Sequence, residues 1–443
     1  MGGQQKGSAQ RGNRSQDRTR PCQQRRPWAR APPWPSPPWP SPVGRDHRWH
    51  AAGHKHDQAH ANWTDPHPIY HTRCPDRPTH HATTPSHCTS VAAANMSGPE
   101  AFNKHFSAAF GAERWTALLP ALRAPTRHAA LINPFCEPAV VRDGLARSSG
   151  TLTRIPWLGV TAITSSATDN AHPFPHPERD VHNLWSYYCM DLASMMAVEA
   201  LGVQKDDDVL DMCAAPGGKS LNVMYRLFTP GETTTPCGSL TANEPSSDRR
   251  LRLRDVLHSH VPKSVHAQLN VTAMDGAAFA RGHRRFTKVL IDAPCSSERH
   301  VLRDAAELAK WTPARAKSAA KRQEKLLWSG LSVLVPGGTL VYATCSLSEV
   351  ENDGVVKKVL ARIAKKRKQS KAAKRRGRDE DEDDEEEDED DEWDDGSDWW
   401  NHVKIGVTRR QWPLGEPTKY GWLVLPDTAD GWGPLYFCVL KCT

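Results

Sequence analysis

Val209-Leu-Asp-Met-Cys-Ala-Ala-Pro-Gly-Gly-Lys-Ser220 decides how the rest of the chain is read. Val209–Asp211 has the apolar-then-acidic profile of a short strand ending at a ligand edge. A tight glycine turn follows, then sequence that can start a helix. Such a turn lets backbone approach a ligand closely and aims the first N–H groups of the helix into a crevice. It is not a Walker phosphate loop, because Cys213 stands where the first glycine of that loop belongs, and it is not a G-x-G-x-x-G fingerprint.

Outward from this turn the chain alternates strand and helix patterns. Candidate strands are Val209–Asp211, Ser239–Asn243, Val271–Met274, Lys288–Asp292, Thr339–Thr344 and Leu435–Leu440. The segments between the first five can hold crossover helices, which predicts an α/β fold with a mostly parallel, doubly wound sheet covered on both faces. Three acids fall at strand ends, where open α/β sheets bind ligands. Glu244 follows the second strand, where an acid accepts from a ribose diol. Asp275, before Gly276, follows the third and sits where an adenine edge would be. Asp292 ends the fourth. Each alone reads equally as a cap for the next helix; with the glycine turn they point to an adenosyl cofactor. Cys295, in Asp292-Ala-Pro-Cys-Ser, and Cys345, in Ala343-Thr-Cys-Ser-Leu, lie just past the fourth and fifth strands. If those strands are neighbours, their ends are roughly 5 Å apart and two thiols face one substrate. Cys189, Cys237, Cys438 and Cys442 read as core or surface residues.

The flanks divide the chain. Residues 1–95 hold 14 of the 35 Pro, 10 of the 21 His, and thirteen Lys/Arg against five Asp and no Glu. They read as a disordered extension with polyproline II character. Globular character begins near Met96. His54, His56, Cys74, His80, His81, His87 and Cys88 fit no zinc spacing. Residues 96–200 read as a helical N-terminal cap and RNA-binding subdomain. Phe102, Phe106, Phe110, Trp115, Leu118, Leu119 and Leu122 fall at helical spacing with Pro120 near a boundary, and Tyr187–Leu201 reads as a helix stopped by Gly202. Residues 201–443 form the main domain, interrupted at 362–398. There ten Lys/Arg over 362–378 precede fourteen consecutive acids, 379–392, a density of like charge that predicts a disordered insertion.

Composition narrows the class. The 443 residues carry a net charge of +7, which suits a nucleic-acid partner. No run approaches the ~18–20 apolar residues of a membrane-spanning helix, so no membrane role is expected, and no secretory h-region is evident. Eleven scattered Cys argue for a reducing compartment rather than a disulfide framework.

The segments DMCAAPGGKS, TANEPSSDR, MDG, DAPCSSERH and YATCSLSEVEN resemble the RNA cytosine-5 methyltransferases of the Sun/Nop (RsmB/Nop) group. The resemblance covers about residues 180–361 and extends to 399–443. Residues 187–220, the PCSSERH form and FNKHFSAAFGAERW (Phe102–Trp115) are similar to the mitochondrial rRNA/tRNA-type members. It implies a Rossmann-like class I methyltransferase and S-adenosyl-L-methionine bound by Cys213, Ala214, Ala215, Pro216, Gly217, Gly218, Lys219, Glu244, Arg249, Asp275, Gly276 and Asp292. It also implies Cys345 as nucleophile and Cys295 as the thiol assisting release, with Asp292 holding the base. The chemistry needs such a pair: carbon 5 of cytosine attacks a methyl donor only after a thiolate has added to carbon 6, and a second thiol serves the proton work of release. Lys219 is expected either to lower a thiol pKa or to hold backbone. Departures are Glu244, where Asp is usual, the Val350–Asp353 stretch and the charged insertion. The expected partner is rRNA first and tRNA second, with a possible ribosome-assembly protein and a monomeric enzyme. Mitochondria are the expected compartment, with the nucleus or nucleolus, which the basic run Lys365–Arg378 equally suggests, as the alternative. A DNA methyltransferase is disfavoured by Cys345, and a non-catalytic RNA-binding scaffold by the retention of both thiols.

Overall fold

The computed structural model describes residues 97–167, 172–230, 238–281, 285–376, 398–401 and 404–443. The His and Cys residues of the N-terminal extension, Cys237 and the acidic run 379–392 lie outside them.

The chain enters through two helices, α1 (Gly98–Phe110) and α2 (Ala112–Arg123). Their apolar spacing buries Phe102, Phe106, Leu118 and Leu122 almost completely. Phe102 and Phe106 meet Trp311 with ring centroids 4.9 and 5.6 Å apart. Truncating either ring costs about 3–5 kcal/mol. Pro120 lies inside α2 rather than at its edge; the last turn still closes through Ala124 N–H to the Pro120 carbonyl at 2.9 Å.

Next come β1 (Ala129–Ile132), α3 (Pro138–Leu145), β2 (Leu152–Arg154), β3 (Ala162–Ser165), β4 (Tyr187–Met190) and α4 (Leu192–Leu201). The four strands form an antiparallel sheet in the order β2-β3-β1-β4. The segment is therefore helical at its start, as read, but also carries a sheet whose strands, three or four residues each, are too short for a period-2 signal. The helix expected over Tyr187–Leu201 splits. Tyr187–Met190 pairs with β1, and Asp191 caps α4 by accepting from Ala193 N–H at 2.7 Å. Gly202, left-handed at φ 64°, ends α4 as expected.

The main sheet is built from β5 (Asp208–Asp211), α5 (Gly218–Leu227), β6 (Ser239–Asn243), α6 (Ser247–His260), β7 (Leu269–Thr272), β8 (Phe286–Asp292), α7 (Glu298–Val301), α8 (Ala305–Ala309), α9 (Ala314–Ser332), β9 (Leu334–Thr344), α10 (Asp353–Arg376), β10 (Ile405–Thr408), β11 (Glu416–Pro417), β12 (Trp422–Val424) and β13 (Leu435–Cys442). The order is β11-β12-β13-β9-β8-β5-β6-β7, with β10 also on β13. Strands β7, β6, β5, β8 and β9 are parallel, and β13 returns antiparallel on β9. The parallel body matches the expectation; the antiparallel edge goes beyond it, since β10, β11 and β12 are two to four residues long and β11 contains Pro417. β7 starts and ends two residues earlier than the pattern suggests, because Met274 bonds through both its N–H and its carbonyl to the Asn243 side chain at 2.9 Å each, outside the ladder.

The basic half of the predicted insertion requires a correction: residues 362–376 continue α10. Ala, Lys and Arg are strong helix formers. Ile363 is buried, and Arg367 Nε donates to the Trp400 carbonyl at 2.6 Å, so local propensity and two anchors outweigh like-charge repulsion. One layer of the core takes in α4, α5 and the β1–β4 sheet; the other takes in α1, α2, α9 and α10. The described residues fall within one compact unit.

Candidate active site

The chain runs β5, β6, β7 and then returns to β8 on the opposite side of β5. The β5/β8 boundary is thus the switch point where a doubly wound sheet opens a crevice at its carboxyl ends. The glycine turn sits there. Met212 N–H reaches the Leu290 carbonyl and Ala214 N–H the Asn243 carbonyl, both at 2.9 Å, stitching the turn to β8 and β6. Gly217 has φ 120°, and a Cβ on Gly218 would lie 2.8 Å from the Tyr188 ring. Both glycines are required by the turn and by β4 packed against it. No side chain caps α5, so its first-turn N–H groups face the crevice.

Carboxylates surround the turn. Asp211 is buried; its Oδ2 accepts from Ser220 Oγ at 2.6 Å, and the Cys213 backbone N–H also bears on the carboxylate. Burial pushes its pKa up to about 7, with Asp292 adding to the rise and Ser220 opposing it. Glu244, 2 % exposed, accepts from Ser246 N–H at 2.9 Å and pairs with Arg249 at 3.2 Å. Arg249 also donates to the Ala215 carbonyl at 3.1 Å, so it braces both acid and turn. Asp275 is exposed and accepts from Ala277 N–H at 3.1 Å. A Cβ on Gly276 would lie 2.5 Å from Leu326 Cδ2, which keeps that backbone close to α9. A glycine turn at the switch point, a helix start with no side-chain cap and an acid at each strand end fit S-adenosyl-L-methionine, which brings a sulfonium, an ammonium and a ribose diol.

Lys219 holds neither backbone nor solvent. Its Nζ donates to Asp292 Oδ2 at 2.8 Å and to Ser194 Oγ at 3.0 Å. Burial lowers its pKa, but the Asp292 charge and hydrogen bond raise it further, and Cys345 adds to that pull.

Strands β8 and β9 are neighbours, and their extensions bring Cys295 Sγ and Cys345 Sγ to 3.0 Å as free thiols. Ser297 Oγ stands 3.4 Å from the first sulfur and 3.5 Å from the second. Ser297 itself is left-handed, at φ 53°, unusual for a side chain other than glycine and held here at a reactive centre. The hydrogen bond from Cys295 lowers the Cys345 pKa against the opposing effect of burial, with Ser297 assisting; Cys295, bound to Cys345 and buried, is pushed well above the ordinary thiol value. The shared hydrogen bond thus favours a thiolate at Cys345 over one at Cys295. Cys213, by contrast, is driven up by burial and nearby carboxylates.

Beneath the thiols lies a network that pattern reading did not single out. Glu351 Oε2 accepts from Ser296 N–H at 3.0 Å and from Gln323 Nε2 at 2.8 Å; its Oε1 accepts from Ser346 Oγ at 2.8 Å and from Ser296 Oγ. Glu298 meets the same Ser296 hydroxyl and accepts from Leu347 N–H at 2.9 Å. One hydroxyl proton cannot serve two carboxylates. Burial and the Glu351 charge raise the Glu298 pKa, against the Ser296 and Leu347 hydrogen bonds. Ser296 and Ser346 directly follow the two cysteines; that shared residue was the available signal.

A parallel sheet with a switch-point crevice and paired thiols on adjacent strands defines a Rossmann-like methyltransferase with a dithiol centre. The description "16S rRNA methyltransferase RsmB/F" matches residues 198–393. The 5-cytosine rRNA methyltransferase NSUN4 of Mus musculus is 32% identical over 289 residues, 59% of this chain and 73% of that protein. The mitochondrial tRNA (cytosine(34)-C(5))-methyltransferase of Danio rerio is 33% identical over 281 residues, 59% of this chain and 71% of that protein. In fold, the chain resembles NSun6 from Pyrococcus horikoshii with SFG at a TM-score of 0.54 and 17% identity, covering 77% of this chain and 98% of that one. The chain belongs to the RsmB/F family of the Sun/Nop RNA cytosine-5 methyltransferases. Its cofactor is S-adenosyl-L-methionine, and its reaction is methyl transfer to RNA cytosine.

Proposed function

We propose that Cys345 adds as a thiolate to carbon 6 of the target cytosine and that Cys295 assists its release, the 3.0 Å approach of the two sulfurs carrying this reading. Addition moves the ring electrons so that carbon 5 becomes nucleophilic. S-adenosyl-L-methionine, held by the Cys213–Lys219 turn, Glu244, Asp275 and Gly276, supplies the methyl group. Lys219 neutralises one oxygen of Asp292, whose carboxylate accepts from the cytosine amino group and keeps the ring in place as charge builds. Cys295, once it has given up its own proton, accepts the carbon-5 proton; that C–H electron pair re-forms the ring double bond as the bond from carbon 6 to sulfur breaks and Cys345 leaves as thiolate. The base must leave its stack to reach the pair.

The test is methyl transfer by single variants. Cys345→Ala should lower turnover by at least about 10⁴-fold. Cys295→Ala should accumulate a covalent protein–RNA adduct that survives denaturing gel electrophoresis. An adduct with Cys345→Ala instead reverses the roles.

Ribosomal RNA is the proposed substrate, supported by the rRNA names of several relatives, with transfer RNA the second reading, supported by the tRNA-named ones. Bisulfite sequencing of RNA after deletion separates them. We place the protein in mitochondria, on the Arg-rich, acid-poor N-terminal stretch and the mitochondrial relative; fractionation tests this against the nucleus. It acts as a monomer with a ribosome-assembly protein for additional RNA grip, which light scattering and affinity capture check.

A further inference from the structure

The edge of the sheet carries a cavity that the reaction above does not use. It has a volume of about 280 Å³ and is walled by Trp412, Tyr420, Trp422 and Phe437, with Arg409 and Arg410 on its rim. Trp412 meets the Phe437 ring edge-on at 5.5 Å, and the Arg410 guanidinium lies 4.7 Å over Trp412. The Lys419 ammonium lies 5.4 Å over Tyr420. Trp412, Tyr420 and Trp422 are only half-buried, whereas Arg409, Arg410 and Lys419 are exposed. Core aromatics would be covered, and a pocket for an apolar small molecule would not need two arginines at its mouth. Glu416 is the one acid in residues 404–422, and Arg114 pairs with it at 2.7 Å. The rim is therefore positive.

Position adds a second argument. Phe437 pairs directly with Ala343, two residues before Cys345, and Trp422 pairs with Phe437 one strand further out. Strand spacing and rise put the cavity wall's backbone within about 10–15 Å of the nucleophile's. Asp353 ties the two together. It heads α10 just after the catalytic turn and accepts from Thr418 Oγ1 at 2.9 Å, Lys419 N–H at 2.8 Å and Tyr420 N–H at 3.1 Å. These bonds fix the 418–420 wall of the cavity to the start of α10, eight residues after Cys345.

We propose that this cavity binds a nucleotide of the substrate RNA flanking the target cytosine, its base stacked among the aromatic rings and its phosphate on Arg409 and Arg410. Rings inside a cationic rim are how single strands are gripped without base-specific readout. The proposal rests on the RNA methyltransferase reading and gives that enzyme a grip within its own sheet.

The test uses the full chain and a short fluorescein-labelled, cytosine-containing single-stranded RNA, followed by anisotropy. Trp412→Ala should weaken binding roughly tenfold. Arg410→Ala should flatten the plot of log Kd against log salt by about 0.7. Trp412→Phe should bind close to the parent, and calorimetry should show S-adenosyl-L-methionine binding unchanged in all three. An unaltered RNA Kd in folded Trp412→Ala overturns the proposal and leaves the cavity to a protein partner. So does parallel loss of RNA and cofactor binding in both Trp412 variants, which marks a packing role. A parent protein that binds cofactor but no RNA overturns the RNA-enzyme reading with it, and that control tells the two failures apart.

Discussion

At the ends of β8 and β9, each carboxyl oxygen of Glu298 and Glu351 has a hydrogen-bond partner, and the two sulfurs already touch. At the end of β5, Asp211 is buried beneath the turn and α5 starts without a side-chain cap. The thiol half of the crevice is thus held by a buried hydrogen-bond network, while the cofactor half offers the backbone of a glycine turn and carboxylates at strand ends. The two halves meet at one ion pair, Lys219 with Asp292 at 2.8 Å. Preorganisation matters where a covalent bond must form at a set geometry, and strand-end carboxylates matter where a cationic ligand must enter and leave.

The sharpest way to break the thiol half is Glu351→Ala. It strips the partners from Ser296, Ser346 and Gln323 at once. Unfolding in urea should show a loss of about 3 kcal/mol, and turnover should fall by at least about 100-fold because both cysteine turns loosen. Glu351→Gln, which keeps the shape, should lose less of each. If turnover survives Glu351→Ala, the thiol geometry does not depend on this network.

Lys219→Met acts at the junction and should lower kcat roughly 10- to 100-fold. Its diagnostic is the pH profile. Cys345 has a depressed pKa, so its thiolate is present above that value and activity is lost as pH falls through it. Removing the Lys219 cation disfavours the thiolate, so the acidic limb should move to higher pH. A limb that stays in place, measured under single turnover, confines Lys219 to Asp292.

How far the sequence discloses these two halves differs. The cofactor half is legible because its demands are local: a glycine turn after a strand and an acid at each strand end are written within a few residues. Cys295 and Cys345 are legible as strand-end thiols, but their 3.0 Å approach depends on β8 lying beside β9, which only strand order supplies. Glu298 and Glu351 are not legible as a pair. They are 53 positions apart and meet through one serine hydroxyl. The short strands β1 to β4 and β10 to β12 escape notice because two to four residues carry no period, and α10 because charge density masks helix propensity over residues 362–376.

Gly218→Ala probes the cofactor half by packing alone. The added carbon would lie 2.8 Å from the Tyr188 ring, so β4 or the turn must shift. Cofactor Kd should rise about tenfold by calorimetry while the Cys345 thiol keeps its reactivity toward iodoacetamide. Equal loss of both would show that the halves are mechanically one.

The smallest expected effect tests the buried Asp211 carboxyl itself. Asp211 is lifted by burial from the usual 3.8 to about 7, beside Lys219 and Asp292. The folded protein therefore keeps a proton there that the unfolded chain has already released at pH values between about 4 and 7. From this group, stability is fullest below about pH 4 and declines as pH rises toward about 7. Ligand binding runs the other way, because a cationic cofactor favours the ionised carboxylate. Its affinity should rise by no more than about tenfold between pH 6 and pH 8. Asp211→Asn keeps the bond from Ser220 and cannot ionise, so it should flatten both trends, stability by urea unfolding and affinity by calorimetry. A parent protein whose cofactor affinity is level across that interval would mean that Asp211 stays neutral with cofactor bound, and that the cationic groups are met by Glu244, Asp275 and Asp292 instead.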